Sequence, residues 1–354
     1  MDKKLIVLKV GTSSLTDRDG TINKEKIRGI CQGAADLRDG GYPVIIVSSG
    51  SIAAGFSRLG YAKRPTALSA KQACAAVGQG LLMREYEEML YANGYACAQI
   101  LLTPDTFTDK DKYKNAFSTL ETLLSRGAVP IINENDTVAT EQIRFGDNDT
   151  LSARVAAMMH AGRLVLLTDV DGLYTANPAV DPKARLIPRV DEMTSEIEAY
   201  AQGAGSANGT GGMTTKLSAA RLATASGVEV FITRYDGRAS VANSVKDDAV
   251  GTLFTASGNL KTKEQWMTFY AVPEGKLTVD DGAVKALRSH KSLLRAGITA
   301  VSGSFGAGAV VDIIGEDGKR VARGSVGLSA SELRTPHEGK DPRPAVHADN
   351  IVLM

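Results

Sequence analysis

The stretch with the clearest chemical character is residues 209–216, G-T-G-G-M-T-T-K, which precede an alanine-rich run. Glycines let backbone N–H groups approach an anion, and the start of the following helix adds a positive partial charge. Lys216 would add a full charge. The segment is not a Walker loop, because that motif needs serine or threonine after the lysine and Leu217 stands there instead. Taken alone, the segment fits both a phosphate-binding loop and a flexible connection with a solvated lysine.

A second lysine, Lys9, stands in an unusual place for a charged residue. It lies within the apolar run L-I-V-L-K-V, which has the pattern of a buried parallel strand, and the polar loop G-T-S-S follows directly. A charge inside a buried strand is costly unless it reaches solvent or meets an anion. We expect Lys9 to face an anionic ligand, with extension into solvent at the strand end as the alternative.

Carboxylate and amide side chains cluster at two further points. Residues 145–149 read F-G-D-N-D at the expected start of a helix, and residues 133–136 read N-E-N-D after an apolar run. Helix capping would need only one of the polar residues in the first cluster. We therefore favour a functional role for these clusters, which include Asp136 and Asp149.

The length, composition and charge of the chain limit the classes of protein to which it can belong. The chain has 354 residues, enough for two domains, and its 43% hydrophobic and 23% charged residues are ordinary for a soluble globular protein. The 41 basic and 40 acidic residues give no electrostatic argument for binding nucleic acid or an anionic membrane. The apolar run near residue 5 is too short for a signal-peptide core or a membrane span, so we expect a cytoplasmic protein.

Cysteine and histidine indicate neither a disulfide framework nor a metal site. Cys31, Cys74 and Cys97 are widely spaced and contain no C-x-x-C pair. The four histidines show no metal-ligand spacing, and we assign none of them to catalysis.

Apolar runs and helical patterns alternate along residues 1–256. Expected strands are 4–10, 44–47, 96–102, 129–132, 164–167 and 228–232, and expected helices are 23–39, 68–93, 112–126, 149–161 and 215–227. This alternation predicts an α/β fold, a three-layer αβα sandwich with a mostly parallel central sheet.

The character of the chain changes after residue 256. Residues 257–265 are polar and poor in apolar residues, as expected for a linker. Residues 266–354 contain short β-rich runs separated by glycines, with one helix near residues 281–288, and we expect strands at 266–272, 297–301, 309–314 and 319–325. We therefore expect an α/β domain at 1–256, a linker at 257–265 and a small, mostly β domain at 266–354.

Polar residues follow four of the expected strands, at 11–14, 48–51, 133–136 and 168–169. In open parallel sheets, ligands bind beyond the carboxyl ends of the strands. Together with two lysines and the glycine loops, these residues indicate phosphoryl transfer, which needs charge neutralisation and alignment more than covalent participation by the protein. No carboxylate cage for a divalent metal is visible, so we expect Mg²⁺ to arrive on the nucleotide.

Six segments in this order resemble the amino acid kinase family. They are V-L-K-V-G-T-S at 7–13, V-S-S-G-S-I-A-A-G at 47–55, N-E-N-D at 133–136, G-D-N-D at 146–149, L-L-T-D-V-D-G-L-Y at 166–174 and G-T-G-G-M-T-T-K at 209–216. Residues 266–354 are similar to the PUA module, so the resemblance covers essentially the whole chain.

The resemblance implies a role for particular residues. It implies ATP binding by Lys9, Thr168, Asp169, Thr210, Gly211, Gly212, Met213, Thr214, Thr215 and Lys216, and glutamate binding by Ser49, Asp136 and Asn148. No residue is assigned to the Mg²⁺ that accompanies ATP. It further implies that Lys9, Asp149 and Lys216 form the catalytic group, in which Asp149 orients the two lysines.

The resemblance also implies a reaction and its partners. It implies phosphorylation of the γ-carboxylate of L-glutamate to L-glutamyl 5-phosphate, the first step of proline biosynthesis, with proline as feedback inhibitor. We expect a homo-oligomer, and a transient hand-off of the product to glutamate-5-semialdehyde dehydrogenase. No membrane is expected as a partner.

Two alternatives belong beside this hypothesis. Family members that phosphorylate acetylglutamate, aspartate, carbamate or a nucleotide would share the lysine and glycine motifs, but the paired N-E-N-D and G-D-N-D segments and the added β domain argue against them. PUA modules elsewhere bind RNA. Residues 255–354 contain 13 basic and 11 acidic residues, too even a balance to favour an RNA-binding surface.

Overall fold

The computed structural model of the protein describes residues 4–17, 19, 21–138, 147–202, 212–257, 267, 271, 273–335 and 343–353. The chain forms two compact units. Most residues up to 259 belong to the first unit, and the residues from 260 onward belong to the second. Apart from Ser257, the expected linker at 257–265 lies outside the described residues.

A mostly parallel sheet of eight strands organises the first unit. The strands are Ile6–Val10 (β1), Val44–Ser48 (β2), Cys97–Leu102 (β3), Val129–Glu134 (β4), Arg163–Thr168 (β5), Arg189–Val190 (β6), Glu229–Arg234 (β7) and Thr252–Phe254 (β8). Their order across the sheet is β3-β4-β2-β1-β5-β7-β8-β6. Only the pairing of β7 with β8 is antiparallel among these described strands.

Most of the helices described between residues 24 and 242 form two groups. The helices are Lys24–Asp39 (α1), Ser51–Gly55 (α2), Leu68–Ala92 (α3), Asp105–Thr108 (α4), Lys110–Ser125 (α5), Asn148–Met158 (α6), Ser195–Gln202 (α7), Met213–Ala225 (α8) and Arg238–Ala242 (α9). One group joins α1, α2, α3 and α9, and the other joins α6, α7 and α8. The predicted α/β fold with a mostly parallel sheet is therefore confirmed.

Every strand and helix expected before residue 256 is present, with ends shifted by up to three residues. Asn23 caps α1 as expected, since its side chain accepts a hydrogen bond from the backbone N–H of Lys26. The elements that were not expected are α2, α4, α7, α9, β6 and β8. All of them except α7 have five residues or fewer, which is too short to show a hydrophobic period.

Strand β1 lies in the middle of the sheet, between β2 and β5, and all five of its residues are buried. Ile6, Leu8 and Val10 belong to the hydrophobic core that β1 shares with α1 and α3. Because side chains alternate along a strand, Lys9 points to the opposite face, where α6 contacts β1. The register of β1 thus directs its one charge toward α6.

The backbones of α2 and α3 are in direct contact at Gly55 and Gly78. A Cβ atom at Gly55 would lie 1.9 Å from the carbonyl oxygen of Cys74, and one at Gly78 would lie 1.8 Å from that of Ser51. Such distances leave no room for any side chain. The crossing therefore holds the loop after β2 tightly against α3.

The second unit is built on a five-stranded sheet. Its strands are Gly275–Val279 (β9), Ile298–Gly303 (β10), Val310–Gly315 (β11), Arg320–Ser325 (β12) and Ile351–Leu353 (β13), in the order β10-β9-β11-β12-β13, and its helices are Asp281–Arg288 (α10) and Ala330–Arg334 (α11). The predicted small β domain with one helix near residues 281–288 is confirmed, whereas β9, β13 and α11 were not expected. Of the strand expected at 266–272, only Met267 and Ala271 lie within the described residues.

Among the described residues, no helix is long and apolar enough to cross a membrane.

Substitution of Gly78 by alanine should destabilise the first unit. The added methyl group would meet the backbone of Ser51, which cannot rotate away, so we expect the free energy of unfolding to fall by about 1–3 kcal/mol or more. Gly80→Ala is the matched control, because Gly80 lies in the same helix, is exposed, and has nothing within 4 Å of an added Cβ. The control should stabilise the protein by roughly 0.5–1 kcal/mol. Urea denaturation measures both, and equal effects would contradict the backbone contact.

Candidate active site

A buried carboxylate lies between the two lysines singled out from the sequence. Asp149 is 0% exposed, and its Oδ1 atom lies 2.7 Å from Nζ of Lys9 while its Oδ2 atom lies 3.2 Å from Nζ of Lys216. Both lysines are buried as well, at 7% and 6% exposure. Two ammonium groups therefore share one carboxylate in the protein interior.

Three elements bring this group together at the carboxyl end of the sheet. Lys9 is the penultimate residue of β1, Asp149 lies in the first turn of α6, and Lys216 lies in the first turn of α8. Helices α6 and α8 pack against each other. The start of α6 also favours a carboxylate, because the helix dipole is positive there.

These positions resolve the two alternatives left open for the lysines. Lys216 is neither solvated nor part of a flexible connection, since it is buried within a helix. Lys9 does not extend into solvent, and the anion that it contacts belongs to the protein itself. Its expected contact with a ligand stays a prediction.

The pKa of Asp149 reflects competition between burial and charge. Burial alone would raise the pKa of this carboxyl group, but Lys9, Lys216 and a hydrogen bond from Thr215 outweigh it, so that the pKa is lowered from its ordinary value. The Thr215 hydroxyl lies 3.0 Å from Oδ2 of Asp149. The folded protein thus holds Asp149 ionised between its cations.

Asp147 has a different place from Asp149, although both belong to the same short motif. Its side chain caps α6 by accepting a hydrogen bond of 2.8 Å from the backbone N–H of Thr150. Burial raises the pKa of Asp147, and the charge of Asp149 adds to that effect. Both explanations of this motif that the sequence suggested therefore have a place in the structure. Asp147 caps the helix, and Asp149 belongs to a cluster of charged groups.

The residues expected to bind substrate lie beside this cluster, at the ends of β2 and β4. Nδ2 of Asn148 donates to the backbone carbonyl of Ser48 at 2.7 Å, and the Ser49 hydroxyl oxygen lies 3.0 Å from the same nitrogen. Asp136 accepts a hydrogen bond of 3.1 Å from the Ser51 hydroxyl. Polar loops from separate parts of the chain thus meet at one edge of the sheet.

The residues expected to bind nucleotide are placed only in part. Thr168 is the last residue of β5, and its hydroxyl donates a hydrogen bond of 3.1 Å to the carboxylate of Asp169, which follows the strand. Gly212, Met213, Thr214 and Thr215 begin α8 next to Lys216. Thr210 and Gly211 lie outside the described residues.

A polar residue that no sequence feature had identified also belongs to this edge. Gln79 stands in α3, is buried, and accepts a hydrogen bond of 2.9 Å from Nδ2 of Asn133. Its neighbours along the chain are mostly small and apolar, so an isolated glutamine there looks like an ordinary helical residue. The side chain of Gln79 can be placed at this edge only once it is known that α3 crosses over the ends of the strands.

Substitution of Asp149 by asparagine should destabilise the protein at pH 7 by about 3–5 kcal/mol, because two buried ammonium groups lose their partner. Since folding lowers the pKa of Asp149, its stabilisation is present above the unfolded pKa and is lost as the pH falls through the folded value. The difference between the two proteins should therefore shrink in acid.

Urea denaturation of both proteins at a series of pH values measures this difference, and one that did not change with pH would contradict the ionised state of Asp149. Asp147→Asn is the control, because asparagine caps helices as well as aspartate does, and it should change stability little at pH 7.

Comparison with known proteins identifies the family of the chain. The model of the amino acid kinase family matches residues 4–234, and the model of the PUA domain matches residues 275–345. The glutamate 5-kinase of Streptococcus suis (strain 05ZYH33) is 51% identical, over 94% of this chain and 94% of that protein. The glutamate 5-kinase of Streptococcus sanguinis (strain SK36) is 50% identical, over 100% of this chain and 97% of that protein.

Solved structures with the same fold are more distant in sequence. A carbamate kinase from Giardia lamblia bound to AMP-PNP has a TM-score of 0.52 and 17% identity, covering 72% of this chain and 99% of its own. The UMP kinase from Ureaplasma parvum has a TM-score of 0.51 and 16% identity, covering 72% of this chain and 100% of its own. The chain therefore belongs to the amino acid kinase family and is a phosphotransferase that carries a PUA domain after its kinase domain.

Proposed function

We propose that the protein transfers the terminal phosphoryl group of ATP to the γ-carboxylate of L-glutamate and forms L-glutamyl 5-phosphate, the first step of proline biosynthesis. The observation that carries the chemistry is the buried cluster in which Lys9 and Lys216 share Asp149. Identity of about half to glutamate 5-kinases, along nearly the whole chain, supports the choice of substrate.

The two lysines address the main difficulty of this reaction. An oxygen of the substrate carboxylate must attack the terminal phosphorus while the bond to ADP breaks, and both reactants are anions. Buried ammonium groups stabilise charge on the phosphoryl oxygens more strongly than water does, because they are already oriented in a medium of low dielectric constant. Lys9 and Lys216 would contact these oxygens, and Asp149 would hold the two side chains in place.

The reaction needs no general base. A γ-carboxyl group with an ordinary pKa of about 4.3 is ionised at neutral pH, so the nucleophile carries no proton to remove. Alignment of the two reactants is then the remaining requirement.

On the nucleotide side, we propose that ATP contacts Lys9, Thr168, Asp169 and the residues from Thr210 to Lys216. The carboxylate of Asp169 is exposed beside the Thr168 hydroxyl, and oxygen donors of this kind suit Mg²⁺ with several waters retained. Magnesium bound to the phosphates would neutralise part of their charge. The helix dipole at the start of α8 would act in the same direction.

On the substrate side, we propose that Ser49, Asp136 and Asn148 bind glutamate. The carboxylate of Asp136 suits the substrate ammonium group, and Ser49 and Asn148 add hydrogen bonds that fix its orientation. This group lies next to the lysine cluster, because Asn148 and Asp149 are consecutive residues of α6.

The remaining proposals concern the wider setting of the enzyme. We propose a cytoplasmic homo-oligomer that proline inhibits and that passes its product to glutamate-5-semialdehyde dehydrogenase. The domain limits of 1–256, 257–265 and 266–354 are proposed on the change of composition.

A coupled assay for ADP release tests the substrate. We expect rapid turnover with L-glutamate and little with N-acetylglutamate or carbamate, because Asp136 and the amide of Asn148 are suited to a free ammonium group. Aspartate has that group, but its side chain is one methylene shorter, so its carboxylate would stand further from the phosphoryl group and turnover should again be low. Reactions without an acceptor measure background ATP hydrolysis. Faster turnover with one of the other acceptors would reassign the enzyme within its family.

Replacement of Lys216 by alanine tests the phosphate role. Loss of one charged group that stabilises the transition state should lower kcat by about two to three orders of magnitude, with little change in the KM for glutamate. Arg221→Ala is the control, because Arg221 lies in the same helix but forms an exposed ion pair with Glu198. Steady-state kinetics of the folded variants measure kcat and the KM for glutamate. Near-normal turnover of Lys216→Ala would refute the proposed contact of Lys216 with the phosphoryl group.

A further inference from the structure

A chain of buried amides links α3 to the proposed substrate site. Gln79 of α3 is 9% exposed and Asn133 of β4 is 2% exposed, and Oε1 of Gln79 accepts a hydrogen bond of 2.9 Å from Nδ2 of Asn133. Neither residue has a role in the function proposed above. Gln79 directly follows Gly78, whose backbone contacts that of Ser51.

The direction of this chain is set by a backbone group. The N–H of Glu134 donates to Oδ1 of Asn133 at 2.9 Å, and a backbone N–H can only donate. The oxygen of the Asn133 amide must therefore face Glu134. Its NH₂ group then points to Gln79, which has to present its oxygen as the acceptor.

A second backbone group sets the direction of the Asn148 amide. The carbonyl of Ser48, which can only accept, lies 2.7 Å from Nδ2 of Asn148, and Oδ1 of Asn133 lies 2.9 Å from the same atom. Both hydrogens of this NH₂ group are thus directed into the protein. Oδ1 of Asn148 has no hydrogen-bond partner among the described residues, and remains to accept one from a ligand.

We propose that Gln79 is a positioning residue of the substrate site. It acts through Asn133 to hold the amide of Asn148 with its carbonyl oxygen toward the ligand, where that oxygen accepts a hydrogen bond from the substrate ammonium group. This inference rests on the proposed function, since it assigns the ligand of Asn148 as the amino group of glutamate.

The energetic reason is the burial of Asn133. Without the oxygen of Gln79, the NH₂ group of Asn133 would be buried with no acceptor, which is costly. The side chain of Asn133 would turn to find another partner and would withdraw its oxygen from Asn148. The amide of Asn148 would then lose one of the contacts that fix its orientation.

Gln79→Met tests this role, because methionine has a similar size but no acceptor oxygen. We expect the KM for glutamate to rise about ten-fold, while kcat at saturating glutamate and the KM for ATP change little. Gln79→Glu keeps an acceptor for Asn133, and its KM should rise less than that of Gln79→Met. The rise in Tm on adding glutamate is an independent measure of affinity.

A double-mutant cycle with Asn148→Ala separates action through Asn148 from direct contact. If Gln79 acts through Asn148, adding Gln79→Met to Asn148→Ala should not raise the KM for glutamate further. An additive rise would overturn the proposal, as would a larger effect from Gln79→Glu than from Gln79→Met.

Met89→Ala provides the control for general loss of stability. Met89 is buried in the same helix, so its removal should lower Tm and leave the KM for glutamate unchanged. A Gln79→Met protein that behaved in the same way would show a purely structural role and refute the proposal. Wild-type protein that did not respond to glutamate at all would instead refute the proposed function, and the role of Gln79 with it.

Discussion

The carboxylate of Asp149 is the group on which the rest of the site depends. Two buried ammonium groups would repel each other and would lose their hydration without compensation, but each lies within 3.2 Å of this one carboxylate. Buried charge clusters of this kind contribute little to stability when compared with apolar packing. The proposed function gives a reason for such a cluster beyond the strand ends, because its two cations would stabilise the negative charge of a bound phosphate.

The start of α6 joins the two halves of the site. Three consecutive residues have separate tasks: Asp147 caps the helix, Asn148 contacts the ends of β2 and β4, and Asp149 contacts β1 and α8. Because these residues belong to one rigid turn, the proposed substrate group and the phosphate group are held at a fixed spacing. A reaction between two anions depends on such alignment.

Much of this arrangement could be predicted from the sequence, because it rests on features that break a local pattern. Lys9 was recognisable as a charge inside an apolar strand, and the polar loops were recognisable by their position after strands. The partner of Lys9 could not be predicted, because a hydrophobic pattern does not show which helix covers which face. Gln79 and the crossing of Gly55 with Gly78 were hidden for the same reason, since both depend on where α3 passes over the sheet.

The central position of β1 also bears on how the protein folds. This strand comes first in the chain, yet its neighbours in the sheet are β2 and β5, and the third member of the charged cluster, Lys216, comes 67 residues after Asp149. Contacts between such distant segments form slowly, because long loops must close before any contact is gained. During synthesis Lys9 must therefore stay hydrated until α6 emerges, and the cluster closes only when α8 follows. The site therefore joins the first strand of the kinase domain to two helices from later parts of the chain.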